Sequence, residues 1–290
     1  MTPLRLTPLT ALTLTALCTA WLPNLAQAAT PQPGKVFKDC KDCPEMVVLP
    51  AGTFTMGTPA DEVGREPDEG PLHDVTFAKP FAMSRFQITA GEWDSYVRQT
   101  GVKIADGDTR PGRECIASKP RYPQGPRQPA VCMDMDDIKR YVAWLSKKTG
   151  QQYHMVSESQ REYAARAGST GPFPFPFDEG KGYSIAQHAN TYGPADGYSY
   201  SSPVGSYPPN AFGMYDMHGN VYERVADCYH ADYIGAPTDG SAWVEPTCEL
   251  YQIRGNDWGE APVFSRSGNR NNIYPQTRGD WIGFRVVRDL

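Results

Sequence analysis

Asn210–Glu223 reads NAFGMYDMHGNVYE, and its character decides how the chain folds. Small, aromatic and acidic residues alternate here with neither the 3.6-residue period of a helix nor the two-residue period of a strand. Gly213 and Gly219 interrupt any simple repeat, and Asp216 and Glu223 bracket the turn. Such a run predicts a shaped loop, and shaped loops carry sites. The same character extends over the C-terminal half. Phe-Pro alternation at 172–177 (PFPFPF) favours extended backbone. From there to Trp281 there is little periodicity, and Gln252–Arg254 and Phe284–Val287 read as short strands. Gly 27 and Pro 27 agree with a loop-rich chain and argue against a helical bundle.

The N-terminal half is more regular. Met46–Leu49 is a short apolar strand, Gly52–Gly57 an alternating one, and Asp74–Phe77 resumes strand character after an acidic, turn-rich stretch at 58–72. Thr89 with Glu92 forms a capping box ahead of Trp93, Tyr96 and Val97. Asp134 or Asp136 caps a second helix that carries Ile138, Tyr141, Val142 and Leu145 on one face and stops at Gly150. Ser157 with Gln160 caps a third, Glu158–Ala167, which stops at Gly168. No internal repeat is evident. The expectation is one α+β domain at 46–290, preceded by a polar segment at 29–45.

Residues 1–28 read as a secretory signal peptide: Arg5, an apolar run, then Ala26-Gln27-Ala28 as the cleavage signal. Pro23 and Asn24 interrupt the run before it spans a bilayer. Export to the periplasm, without membrane insertion, is the expectation. Six cysteines remain after residue 28, and an even number in an oxidising compartment implies disulfides. Sequence alone cannot choose among the pairings; proximity favours Cys40–Cys43, Cys115–Cys132 and Cys228–Cys248. Cys40-x-x-Cys43 also has the spacing of half a zinc site or a redox pair, but no second pair accompanies it. The formal net charge of −5, without a basic stripe, argues against nucleic-acid binding. The five histidines lack short metal-ligand spacings.

Met46–Gly57 (MVVLPAGTFTMG), Phe81–Trp93 (FAMSRFQITAGEW), Val156–Gly168 (VSESQREYAARAG), Asn210–Glu223, Arg254–Trp258 (RGNDW) and Gly283–Val286 (GFRV) occur in the order seen in formylglycine-generating enzymes, the sulfatase-modifying factor family. The ordered set resembles that family over nearly the whole chain after residue 28. The resemblance implies a domain with C-type-lectin-like topology and little regular secondary structure.

The resemblance also implies two structural calcium sites. The first would use Asn190, the carbonyl of Thr191, Asp196 and the carbonyl of Tyr198; the second Asp216, the carbonyls of Gly219 and Val221, and Glu223. These are the hard oxygen donors calcium takes. On spacing alone, Asn190, Asp196 and Asp216 are equally the makings of Asx-turns.

Formylglycine-generating enzymes bind copper through two cysteines downstream of the segment matching Arg254–Trp258. Here the first position falls at or near Glu260 and the second has no counterpart, so no copper is expected, nor is an organic cofactor. A polar cluster replaces the thiolates: Glu260, Asp257, Tyr222, Arg266 and Arg270, with His218 nearby. A buried carboxylate beside a tyrosine is a candidate general base. Within the family the chain resembles exported members tied to maturation of the pyoverdine siderophore chromophore. That implies a siderophore peptide precursor as substrate, an oxidoreductase-like tailoring activity, and other periplasmic tailoring enzymes as partners. A non-catalytic module that presents the precursor to another oxidase, and formylglycine generation on sulfatases, are the competing readings.

Overall fold

The first helix, α1 (Ala90–Thr100), begins where the capping box predicts: Thr89 Oγ1 accepts from Glu92 N while Glu92 closes back on Thr89 N. The second, α2 (Met135–Thr149), is capped by Asp134 rather than Asp136, with Gly150 left-handed at its end. The third, α3 (Glu158–Arg166), ends one residue before the predicted Ala167, which adopts a left-handed φ of 46° as the C-cap. In this computed structural model the described residues are Met1, 32–108, 114–177 and 184–290. Apart from Met1, the predicted signal peptide therefore lies outside them. Pro31–Leu290 forms one compact unit. Among the described residues no helix is long and apolar enough to cross a membrane.

Among the described residues thirteen short strands accompany the helices. An antiparallel five-stranded sheet has the order β1 (Val36–Phe37), β2 (Met46–Leu49), β5 (Phe81–Ser84), β13 (Val286–Arg288) and β8 (Tyr153–Met155). Against it α1 and α2 pack Trp93, Tyr96, Tyr141 and Leu145 around Phe284. A second sheet has the order β11 (Asn271–Ile273), β10 (Tyr251–Arg254), β9 (Tyr222–Cys228) and β12 (Ile282–Phe284), with β12 parallel to β9. Two hairpins, β3 (Gly52–Met56) with β4 (His73–Phe77) and β6 (Cys115–Ile116) with β7 (Lys119–Pro120), complete the set.

The single strand predicted at Phe284–Val287 is two. The chain leaves the second sheet at Phe284 and enters the first at Val286. Arg285 is the fully buried switch point, with its guanidinium on Glu223 and on the carbonyls of Ser84, Arg85, Tyr215 and Asp216.

β9 lies in the half predicted to be mostly loop. Its sequence YERVADC is buried almost throughout, so the hydrophobic alternation that marks a half-exposed strand is missing. Its charges are neutralised inside: Glu223 meets Arg161 at 2.6 Å and Arg285 at 2.9 Å. Every residue of α3 is likewise buried, so its charged side chains need partners. Glu158 pairs with Arg254 at 3.0 Å and Arg270 at 2.8 Å, and Glu162 pairs with Arg166 at 2.8 Å and with Arg254. Disulfides close Cys40–Cys43, Cys115–Cys132 and Cys228–Cys248, the pairings proximity favoured.

Candidate active site

The opening stretch is bonded to the turn that carries Asp257. Gly219 N donates to Gly255 O at 2.6 Å, and Trp258 N donates to Asn220 O at 3.1 Å. Gly219 has φ +88°, and a Cβ there would collide with the carbonyl of Asn190, so the approach requires glycine. Asn256 then braces the next loop, donating to Ala261 O at 3.1 Å and to Ser265 Oγ at 2.8 Å. At the start of β9, Tyr222 N donates to Trp281 O at 2.9 Å, and the two rings meet edge to face at 5.8 Å.

These segments enclose a cavity of about 610 Å³ lined by Tyr222, Asp257, Trp258, Glu260, Asp280 and Trp281, among others. A second cavity, of about 590 Å³, shares Tyr222, Glu260, Asn271 and Asn272 with it, so the two flank one wall. Both are within the size range of small-molecule sites.

Asp257 is the unusual group. It is 5% exposed, and burial, reinforced by Glu260 and Asp280, pushes its carboxyl up to about 7 although Gly259 N donates to it at 2.6 Å. A carboxylate that ionises near neutrality is suited to general-base work. Glu260 is exposed and reaches both cavities. Tyr222 is buried, accepts from Asn271 Nδ2 at 3.3 Å, and burial raises its hydroxyl above tyrosine's usual value.

The two arginines of the predicted cluster are tied elsewhere. Arg266 is consumed by Glu62 and Glu69 and does not line either cavity. Arg270 borders the second cavity, but its nitrogens are spent on Glu158 and on the carbonyls of Asp68 and His230. His218 does not join them. Its Nδ1 donates to Ser265 O at 2.7 Å, its ring packs edge-on to Phe173 and Phe175, and burial lowers it to about 4, so it is neutral. In place of these, the fold brings in Arg121 and Asp280, paired at 2.9 Å, which sequence reasoning missed. Neither belongs to a motif, and both lie far from Asp257 along the chain.

The described residues do not fit copper: Cys40, Cys43, Cys115, Cys132, Cys228 and Cys248 are all in disulfides, leaving no thiolate among the described residues for the metal. For calcium the fit is uneven. In the first set Asn190 Oδ1 is buried with no hydrogen-bond partner, as a cation ligand would be. Asp196 makes the Asx-type bonds, accepting from Thr191 N at 2.8 Å and Tyr198 N at 2.9 Å, and a carboxylate has further lone pairs to offer. In the second set Asp216 Oδ1 is also buried and unpartnered, and burial pushes this carboxyl up to about 6. Glu223 does not fit. Arg161, Arg285 and Gln87 take its oxygens, and the two guanidiniums hold it below the usual carboxylate range against the effect of burial. Gln87 Nε2 also donates to the Val221 and Asp216 carbonyls, at 3.2 and 3.4 Å.

Residues 32–290 match the model of the sulfatase-modifying factor enzyme 1-like domain. The chain is 29% identical over 282 residues to the inactive C-alpha-formylglycine-generating enzyme 2 of Bos taurus, covering 83% of this chain and 87% of that protein. It is 26% identical over 306 residues to the formylglycine-generating enzyme of Mycobacterium tuberculosis, covering 84% and 98%. Among solved structures, PvdO from Pseudomonas aeruginosa superposes with a TM-score of 0.88 at 77% identity, over 90% of this chain and 100% of that one. Treponema denticola variable protein 1 shares the fold, with a TM-score of 0.69 at 17% identity, over 90% and 100%. The architecture is the loop-rich α+β fold of C-type-lectin-like topology.

Proposed function

The chain belongs to the sulfatase-modifying factor enzyme 1-like family, and we propose that it is an exported, periplasmic member acting in oxidative maturation of a peptide siderophore chromophore, of the pyoverdine type. Its substrate in this reading is the dihydro precursor. The 77% identity to PvdO supports the assignment to siderophore chemistry. The observation that carries the chemistry is Asp257, buried and ionising at about 7 in a cavity walled by Tyr222, Trp258 and Trp281. An aromatic wall suits a bicyclic phenolic ring.

In this reading Asp257 takes the phenol proton. The ring then loses two electrons and, in total, two protons, and dioxygen accepts both pairs to leave as hydrogen peroxide. Glu260, exposed at the border of both cavities, is placed to meet the peptide chain rather than the reacting ring. Calcium would be a structural cation, held in one site by Asn190, Thr191, Asp196 and Tyr198 and in a second by Asp216 with the carbonyls of Gly219 and Val221; it takes no part in the reaction. Other periplasmic tailoring enzymes would supply the precursor.

Loss of the cysteine pair favours a second reading, in which the protein binds the precursor and presents it to another oxidase. The test is to incubate purified protein with the dihydro precursor, with and without oxygen, while following absorbance, fluorescence and peroxide. Oxygen-dependent acceleration over the protein-free control is the expected result. Binding without acceleration would replace the enzyme with the presenting module.

A further inference from the structure

Tyr222 opens β9 opposite Ile282 of β12, so its backbone belongs to the sheet. Its ring packs with Ile253, Ile273 and Ile282 and meets Trp281 edge to face. What remains for the two cavities that Tyr222 lines is the hydroxyl end. Asn271, which borders both cavities as well, sets the direction of that hydroxyl. Asn271 Oδ1 accepts from Asn272 N at 2.8 Å, so the amide nitrogen is the end left for Tyr222, and Nδ2 donates to the hydroxyl oxygen at 3.3 Å.

A hydroxyl has one O–H to donate besides the lone pairs with which it accepts. Asn271 takes a lone pair, and among the described residues no group accepts the proton. Burial raises the hydroxyl above its usual value, and the Glu260 and Asp257 carboxylates add to this against the bond from Asn271, so the proton is retained across the neutral range. Buried polar groups are as a rule paired. In a side chain only 2% exposed, an unspent donor has the cavities to serve.

We infer that Tyr222 donates its hydroxyl hydrogen bond to an oxygen of the bound aromatic substrate, and that Asn271 is the positioning residue that turns the proton toward it. The inference rests on the aromatic-substrate reading above. It makes the site selective for a ring that carries an oxygen over the bare ring, because an analogue without the oxygen leaves a buried donor unpaired. The proton stays on Tyr222 throughout. Its role is to orient and select the substrate, not to transfer a proton.

The test uses 2-naphthol and naphthalene, two rings of the same shape that differ by one oxygen, with affinities for the purified protein measured by equilibrium dialysis. Tyr222→Phe keeps the packed ring and removes the donor. It should weaken 2-naphthol about three- to tenfold, the range of one hydrogen bond, and leave naphthalene unchanged. Asn271→Asp, at an exposed position, should do the same, because a carboxylate only accepts and would take the Tyr222 proton for itself. A loosened wall would weaken both probes alike, so the ratio of the two affinities separates a hydrogen bond from packing. Undiminished 2-naphthol binding in Tyr222→Phe, or equal losses for both probes, overturns the inference and leaves the aromatic-substrate reading standing. An unchanged ratio in Asn271→Asp overturns the role given to Asn271. If the wild type binds neither probe, the inference and the reading beneath it fall together.

Discussion

Both carboxylate oxygens of Glu69 accept from Arg266, at 2.7 and 2.8 Å, with neither side chain exposed. This pairing makes Arg266 a structural residue. Removing one partner of a buried pair leaves an uncompensated charge, so Arg266→Met should cost about 3–5 kcal/mol in urea denaturation, and Glu69→Leu in the same chain should restore part of it. Burial raises Glu69, but Arg266 and Thr58 outweigh it and hold it below 4.5. Its contribution is therefore present above that value and lost as pH falls through the lowered folded value. The double variant should lose less stability between pH 5 and pH 3 than the wild type.

Asp257→Asn should slow conversion of the dihydro precursor by about 10²–10⁴-fold, the range for loss of a general base. The wild-type rate should rise with pH through about 7, where this carboxyl ionises, and the variant should lose that limb. Glu260→Gln should lower the rate less than about tenfold, since an exposed side chain contributes through solvent-screened contacts.

The same carboxyl carries a stability signature of opposite sense from Glu69. Its folded value is raised from 3.8 to about 7. Its contribution is complete below the unfolded value and lost as pH rises through about 7. Asp257→Asn should therefore raise the melting temperature relative to wild type more at pH 8 than at pH 4. An equal effect at both would place the ionisation elsewhere.

Calcium added after exhaustive chelation should raise the melting temperature, since a ligand at a hundred times its Kd adds about 2.7 kcal/mol. Asn190→Ala should remove most of that gain, because Asn190 Oδ1 is one of the two unpartnered oxygens in the predicted ligand sets. Calorimetry on wild type and variant is the check. A melting temperature indifferent to calcium would return both stretches to Asx-turns.

Replacing Cys115 and Cys132 together by serine should cost about 3 kcal/mol, the range for closing a loop of this size. Because that loop also carries Arg121, substrate affinity should fall in the folded fraction as well. Unchanged affinity would show that the bridge stabilises without shaping the cavity.

Features set by neighbours in sequence were legible before the fold was known. The two capping boxes at Thr89 and Ser157, the glycine stops and the Cys40–Cys43 bridge follow from spacings of a few residues, whereas spacing alone does not choose between Asp134 and Asp136 for the second helix's cap. β9 was hidden because its burial is achieved with Glu223, Arg224 and Asp227 rather than with apolar residues. Glu260 and Asp257 were both legible as chain positions, but burial, which separates their chemistry, is a tertiary property. Arg121 and Asp280 carried no local signal, and folding alone makes them neighbours. Glu223 is the reverse case: its motif spacing was plain, but three long-range partners occupy its oxygens.

β12 is the strand beside Tyr222, and it ends at Phe284, six residues before the C-terminus. Asp280 and Trp281 precede it directly. Parallel pairing between strands this far apart in sequence is slow to form, so the side of the cavity that Asp280 and Trp281 supply closes only when β12 docks on β9. A substitution that weakens this pairing should therefore open the cavity wall as well as lower stability.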